Sequence, residues 1–220
     1  MRFQILLSSV AYNLKLVINR REVAFPRYYM EGGIPIDSSY KRSLINRVID
    51  ASQSDFWDSA VCEWVVDDCE EDTSLSSSCI CGKENLRYLY TIRNLQNGNL
   101  LWPIGSCCIK KFDREDMDEA VSVTEGMFKL LHAILNNEFI TLSTEFFSRK
   151  LLKKLYDEGA FVSNQYNRFD GYNDYQFMLD MFNKRDKSKI TQAQHRKIRG
   201  IIAFSIRPFL EDKLTNRIHD

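Results

Sequence analysis

Long hydrophobic runs are missing from this chain of 220 residues, and proline and glycine are scarce, with four and nine residues. No segment reaches the roughly 18 apolar residues of a membrane-spanning helix, so we expect no contact with a membrane. The scarcity of proline and glycine excludes a collagen-like or low-complexity chain. The apolar start at residues 3–7 is too short and too interrupted for a secretory signal, which predicts a cytoplasmic protein.

Net charge is also missing, because 30 Lys and Arg balance 30 Asp and Glu. This excludes a generally basic nucleic-acid coat. The charge is nevertheless segregated. Residues 63–72 hold six carboxylates and no Lys or Arg, and residues 184–199 hold seven basic residues opposed only by Asp186. Such runs are commonly solvated faces, but the acidic run is also suited to a basic protein groove and the basic run to a phosphate backbone or an acidic protein.

Cysteine is absent from residues 1–61 and 109–220. All six thiols fall in the window between: Cys62, Cys69, Cys79, Cys81, Cys107 and Cys108. In a reducing compartment such clustered thiols indicate metal ligands before disulfides. The alternative is a set of buried free thiols, since cysteine packs well as a small apolar residue.

The sequence around these cysteines predicts a turn, a hairpin and the start of a helix. Glycine follows the second thiol of Cys79-Ile80-Cys81-Gly82, which suits a tight turn around an ion. Residues 86–93 and 100–104 read as two strands joined by an Asn97-Gly98 turn. Ser106 is the expected N-cap of a helix that carries the last two thiols. This order is that of a treble-clef zinc site, in which the helix N-terminus favours thiolate.

The predicted ligands of this site are Cys69, Cys79, Cys81 and Cys108. Cys79 and Cys81 are the most secure, and Cys108 is preferred to Cys107 because adjacent helical residues point about 100° apart. Cys69 is the best fourth ligand, since the serine-rich stretch after it can fold back. Cys62, Cys107 and His132 remain alternatives. A set of four thiolates predicts a structural rather than a catalytic Zn²⁺.

Three parts of this window carry a resemblance to a known family. They are Cys79-Ile80-Cys81-Gly82-Lys83, the strand ending Ile92-Arg93-Asn94, and Ile104-Gly105-Ser106-x-Cys108-Ile109-Lys110-Lys111-Phe112. Over about residues 62–112 the chain resembles small zinc-binding phage and prophage proteins of Gram-positive bacteria. The resemblance implies a bacterial host and supports Cys108, because Cys107 falls at a variable position of that family. Some zinc-binding prophage proteins of this size are anti-CRISPR proteins, which bind and block a CRISPR effector nuclease. The analogy of genome context and architecture implies the same role here.

The expected function is therefore a phage-derived, zinc-stabilised inhibitor that binds a host defence protein, with a CRISPR effector nuclease as the leading candidate. No phosphate-binding loop, GxSxG elbow or HExxH pair occurs, so we expect no enzymatic activity. A DNA- or RNA-binding accessory protein of phage replication or transcription is the alternative. A metal-dependent nuclease built on the acidic run is a third hypothesis. Nucleic acid is a secondary expected partner.

The expected fold class is α+β, in three parts. Residues 1–61 form a mixed α+β segment, residues 62–112 the zinc module, and residues 113–220 a helical domain. Within the first part, residues 1–9 and 14–18 are strands or helical starts, and residues 57–66 a strand. Helices are predicted over residues 41–51, 116–136 and 175–182, from a Thr144 cap to Gly159, and from Thr191 onward with a kink or restart at Pro208.

Overall fold

The computed structural model describes residues 39–219 and has an α+β architecture. The expectations for residues 1–9 and 14–18 lie outside this range. Helix α1, Ser39–Ala51, confirms the predicted amphipathic helix and buries Leu44 and Val48. None of the helices within residues 39–219 has the length and apolar character needed to cross a membrane.

The predicted strand over residues 57–66 is wrong in its first half. Helix α2, Trp57–Ala60, and a 3₁₀ turn, Val61–Glu63, come first, and strand β1 covers Trp64–Asp72. Amides of Ser59 and Ala60 donate to the Phe56 carbonyl, which closes a helical turn, and burial of Ala60 and Val61 holds that turn against the core. Tertiary packing here overrides the β propensity of the segment.

The sheet has four strands in the order β3-β2-β1-β4 and is mixed. Strands β2, Tyr88–Asn94, and β3, Leu100–Ile104, are antiparallel to their neighbours, and the short β4, Ile218–His219, runs parallel to β1. The turn between β2 and β3 confirms the predicted hairpin. Gly98 has φ +75°, a conformation that favours glycine.

The remaining helices lie after the sheet in the chain. They are α3, Ser106–Ile109; α4, Glu115–Leu135; α5, Arg149–Asp157; α6, Gly171–Asn183; α7, Gln192–Ile201; and α8, Arg207–Leu214. A π-helical segment, Ile202–Ile206, joins α7 to α8, close to the break expected at Pro208. Short 3₁₀ turns cover Lys110–Phe112, Gln165–Asn167, Lys187–Lys189 and Thr215–Arg217.

Helix starts show where side-chain capping was predicted well and where it was not. Thr191 caps α7 in a capping box with Gln194, as predicted. The predicted Thr144 cap of α5 is wrong, because Ser148 accepts from the Leu151 amide at 3.0 Å and starts that helix. The predicted Ser106 cap of α3 is also wrong, since the N-cap position is the extended Gly105.

The sheet packs against α4, which positions both the hairpin and the thiols beside it. The Tyr90 hydroxyl donates to the Val121 carbonyl at 3.3 Å, and the Tyr88 and Phe128 rings lie 5.6 Å apart. Buried side chains from Leu44 to Leu214 form one continuous cluster, which includes the thiols of Cys69, Cys79, Cys81 and Cys108.

Candidate metal centre

Cys79 and Cys81 lie on a tight turn between β1 and β2. Ser77 and Leu86 form an isolated antiparallel bridge at its base. Within it, the Cys79 amide donates to the Lys83 carbonyl at 2.8 Å and the Gly82 amide donates to the Cys79 carbonyl at 2.7 Å. Gly82 has φ +94°, so a residue with a side chain would be strained there. The turn places both thiols on its buried side.

Cys108, the third thiol of the cluster, lies on α3, directly after strand β3. The Ile80 amide donates to the Pro103 carbonyl at 2.8 Å, which docks the turn on the end of the edge strand. The Gly105 amide points at the Cys79 sulfur at 3.4 Å. Amide hydrogen bonds to a sulfur stabilise a thiolate and orient it toward a metal ion. Cys108 then lies in the first turn of α3 and faces the Cys79 thiol.

The ligand atoms of Cys79, Cys81 and Cys108 all lie within 4.8 Å of one another. Cys79, Cys81 and Cys108 are buried, with only 5%, 4% and 3% of their surface exposed. The Cys79 and Cys108 sulfurs are 3.7 Å apart. Sulfurs at about 2.3 Å from a tetrahedral Zn²⁺ lie about 3.8 Å from one another, so this pair has the spacing of one tetrahedral edge. Three close, buried cysteines could therefore hold a metal ion.

The electrostatics of the cluster favour one thiolate. The hydrogen bond with the Cys108 thiol is the main cause that lowers the pKa of Cys79 to about 5; burial opposes it, and the Gly105 amide adds to it. The same contact raises the pKa of Cys108, because a proton shared with a thiolate is harder to remove. A bound metal ion would replace that shared proton and let the sulfurs carry charge together.

Cys69, predicted as the fourth ligand, is placed elsewhere. It lies on β1 opposite Tyr90, and its sulfur is 3.5 Å from the Glu70 carbonyl oxygen. Burial raises the pKa of the Cys69 thiol, which suits a packed neutral thiol. The group of close ligand atoms found within residues 39–219 does not include it. The strand continues where a returning loop was expected, so the side chain cannot fold back toward the turn.

The alternative fourth ligands are also committed to other contacts or exposed. The Cys62 thiol is exposed and donates to the Asp58 carbonyl at 3.3 Å. Cys107 is exposed on α3. His132 lies on α4, where its Nε2 is 2.6 Å from a Glu71 carboxylate oxygen. The described residues therefore bring together three of the four predicted sulfurs.

Residues 64–72 of the acidic run form strand β1 rather than a solvated face, and three of the six carboxylates of the run are internal. Glu63, Glu71 and Asp72 are 2%, 0% and 3% exposed. Asp72 accepts hydrogen bonds from Ser74, Ser76 and Ser77, and the Ser74 hydroxyl is the main cause that lowers its pKa. These bonds order the serine-rich stretch that leads to Cys79.

The other three carboxylates of the run face basic side chains. Asp67 pairs with Arg93 at 2.8 Å, and Asp68 pairs with Arg217. Glu70 lies 3.5 Å from His219 on the neighbouring strand β4. The run is thus part of the sheet and its ion pairs, and its net negative field is much weaker than its sequence indicates.

A buried carboxylate network that includes Glu71 was missed by sequence reasoning. Glu71 accepts from Arg87 Nε at 2.7 Å on one side and contacts His132 Nε2 on the other. The three residues are far apart in sequence, and only pairing of β1 with β2 and packing of α4 bring them together. No spacing in the sequence signals this contact.

The fold and the thiols define the class of this molecule: an α+β protein with a buried cluster of three cysteines that could hold a metal ion. Comparisons of the chain with protein-family models, with curated proteins and with solved structures gave no significant match.

Proposed function

We propose that the protein is a zinc-stabilised binding protein, in which Cys79, Cys81 and Cys108 hold a structural Zn²⁺. The observation that carries the proposal is the 3.7 Å separation of two buried sulfurs beside a third. The softness of thiolate ligands favours zinc or iron as the bound ion. A turn, a hairpin and a short helix in this order are typical of a treble-clef zinc site. The metal would join the turn, the edge strand and α3 into one unit.

Three sulfurs leave one position of a tetrahedral Zn²⁺ unfilled by this cluster, so the proposed structural role rests on the surroundings of the ion. The cluster consists of sulfurs alone, whereas catalytic zinc sites usually include a His or carboxylate ligand. The ligand residues are almost fully buried, which leaves little room for a substrate. Bound at this position, the ion would contribute folding free energy and fix the hairpin that carries Trp102, a side chain 53% exposed on the edge strand.

Metal content tests this proposal directly. We expect one zinc per wild-type chain by elemental analysis and loss of that zinc in Cys108→Ser. Cys107→Ser is a matched control, because it removes the adjacent but exposed thiol of the same helix. Visible absorbance separates the metals, since iron bound to thiolate is coloured and zinc is not. Absence of any metal from native protein, or equal loss in both variants, would contradict the proposal.

The biological role that we propose is inhibition of a host defence enzyme, with a CRISPR effector nuclease as the candidate partner. Its support is the family resemblance around the thiols and the absence from the sequence of the catalytic motifs considered above. The placement of the acidic run changes the expected contact. Because Glu63, Glu71 and Asp72 are internal, only Asp67, Asp68 and Glu70 remain for a basic groove.

A cleavage assay tests this role. Purified protein, zinc-loaded and added in increasing amounts, should stop target cleavage by a CRISPR effector nuclease at about equal molar amounts and should co-elute with the nuclease. Changing Asp67, Asp68 and Glu70 to Lys then tests the acidic contact without altering a buried carboxylate. If no effector nuclease tested is inhibited or bound, the proposed target is wrong, whatever the metal content.

A further inference from the structure

The loop before α6 exposes an unusual set of large side chains. We define the aromatic loop as residues 162–172. Val162, Tyr166, Phe169 and Tyr172 are 58%, 83%, 75% and 46% exposed. The Tyr172 ring contacts the Tyr156 ring at a centroid distance of 5.8 Å, whereas the Tyr166 and Phe169 rings are the most exposed of the set. Exposed aromatic rings grouped on one ordered segment indicate an interaction surface.

The aromatic loop is held by internal hydrogen bonds. Asn164 and Asn167 form a reciprocal capping box around the 3₁₀ turn Gln165–Asn167. The Asn167 side chain is 1% exposed, and its Nδ2 donates to the Val162 carbonyl at 2.8 Å and to Asp174 at 2.9 Å. Buried, satisfied amides of this kind fix a single loop conformation. The exposed rings are therefore presented in a defined arrangement.

The backbone at the tip of the loop is strained. Arg168 and Phe169 are consecutive residues with φ +59°, in the left-handed region that residues with side chains rarely adopt. Such conformations persist only where surrounding contacts impose them, and they are concentrated at ligand-binding segments. These two residues place a guanidinium group and an aromatic ring next to each other on the outside of the protein.

The aromatic loop is also tied to the basic run of the sequence. Asp174, 3% exposed, receives the Asn167 amide on one oxygen and lies 3.0 Å from Lys197 Nζ on the other. Lys197 belongs to α7, and its neighbours Arg196 and Arg199 are exposed. Within residues 39–219, the ion pairs that the structure contains do not include Arg168, Arg196 or Arg199.

Two carboxylates of the aromatic loop and the start of α6 have partners of their own. Asp174 is neutralised by Lys197, and Asp170 accepts from the Tyr172 amide at 2.9 Å as the N-cap of α6. Phe169 lies beside Arg168 in the loop, and Lys197 ties the loop to α7, which carries Arg196 and Arg199. Exposed rings and these guanidinium groups on two joined elements match the two components of a single-stranded nucleic acid. Bases stack on aromatic faces, and phosphates bind cations.

From these observations we propose that the aromatic loop and α7 form a binding surface for single-stranded nucleic acid. Tyr166 and Phe169 stack with bases, and Arg168, Arg196 and Arg199 contact the phosphate backbone. The surface does not depend on the metal centre or on the nuclease target proposed above, so each of the three proposals can fail alone.

Fluorescence anisotropy with a labelled oligothymidylate and an oligouridylate, using the full chain, tests the surface. Wild-type protein should bind both probes, with affinity that falls as salt rises, and should bind the matching duplex more weakly. Phe169→Ala and Tyr166→Ala should each weaken binding by about tenfold or more, because each removes the ring on which one base stacks. Phe169→Tyr should retain most of the affinity. Phe139→Ala is the matched control, since Phe139 is 74% exposed elsewhere.

The salt dependence identifies the cations. Changing Arg196 and Arg199 to Gln should reduce the slope of log affinity against log salt by about 0.7 for each phosphate that the protein no longer neutralises. The paired control changes Arg42 and Arg47, both exposed on α1, to Gln and should leave the slope unchanged. Thermal unfolding verifies that each variant is folded. No binding of either probe by wild-type protein, or an equal weakening in the control variants, would overturn the proposal.

Discussion

The buried Glu63 carboxylate accepts hydrogen bonds from two other segments of the chain. The amides of Gln53 and Ser54 donate to its two oxygens at 2.8 Å, and Asn94 Nδ2 donates at 2.6 Å. Burial by itself would raise the pKa of Glu63, but the bonds from Ser54, Asn94 and Gln53 outweigh it and lower the pKa from 4.5 to about 2. Its ionised form therefore joins the segment after α1, the turn before β1 and the end of β2.

The sign of the pH dependence follows from the lowered pKa of Glu63. The ionised carboxylate stabilises the fold above its unfolded pKa, and this contribution is lost as pH falls from 4.5 toward about 2. We expect Glu63→Gln to lower the free energy of unfolding by about 1–3 kcal/mol near neutral pH. Urea unfolding over a pH series should show the gap between the wild type and the variant narrowing through that window.

Asp67→Asn is the control for this experiment, because Asp67 is exposed and its pair with Arg93 lies on the surface. An exposed pair contributes at most about 1 kcal/mol, so its removal should change the curve little. A difference between the wild type and Glu63→Gln that stays constant down to pH 2 would contradict the role assigned to the Glu63 charge.

At the scale of the element, the start of α6 lies very close to the backbone of the segment that follows α5. A Cβ added to Gly171 would lie 2.0 Å from the Phe161 carbonyl oxygen, which is backbone and cannot rotate away. Gly200 in α7 has open space around it, because no heavy atom beyond its chain neighbours and its own helix backbone lies within 4 Å of an added Cβ. The same substitution should therefore have opposite effects in the two helices.

We expect Gly171→Ala to lower the free energy of unfolding by about 1–3 kcal/mol, because the backbone of α6 or of the preceding segment must shift. Gly200→Ala should raise it by about 0.5–1 kcal/mol, since alanine has the higher helix propensity. Chemical denaturation of both variants measures the two values. Equal effects would mean that α6 does not lie this close to Phe161.

At the scale of the whole molecule, the cluster of three cysteines is part of the common core. Cys79, Cys81 and Cys108 belong to the same buried cluster as the helices that follow. If they bind zinc, removal of the ion should lower the thermal midpoint of the entire domain, because binding energy at a structural site is folding energy. A free zinc concentration a thousandfold above the dissociation constant stabilises a fold by about 4 kcal/mol.

Circular dichroism melting with and without a chelator measures this effect. Zinc added back should restore the wild-type midpoint, while magnesium should not. Cys79→Ser should melt at a low midpoint that the chelator no longer changes. Complete metal loss with an unchanged midpoint would show that the ion is not structural.

Local signals in the sequence were sufficient for much of the architecture. The periodic apolar residues of α4, the capping box at Thr191 and the Asn97-Gly98 turn act within a few residues, so their outcome does not depend on distant contacts. The grouping of Cys79, Cys81 and Cys108 was also predictable, because a glycine turn, a two-stranded hairpin and a short helix leave few ways to arrange them.

Tertiary structure alone decided the remaining features. Cys69 became a core thiol and the acidic run became a strand, because pairing with β2 and β4 outweighed the repulsion of neighbouring carboxylates. Glu71 met Arg87 and His132 only when the sheet packed on α4. The exposed rings of the aromatic loop depend on a bond from Asn167 to Asp174 and a salt bridge from there to Lys197. Charge and burial in these places depend on contacts between segments that are distant in the chain, which sequence spacing does not encode.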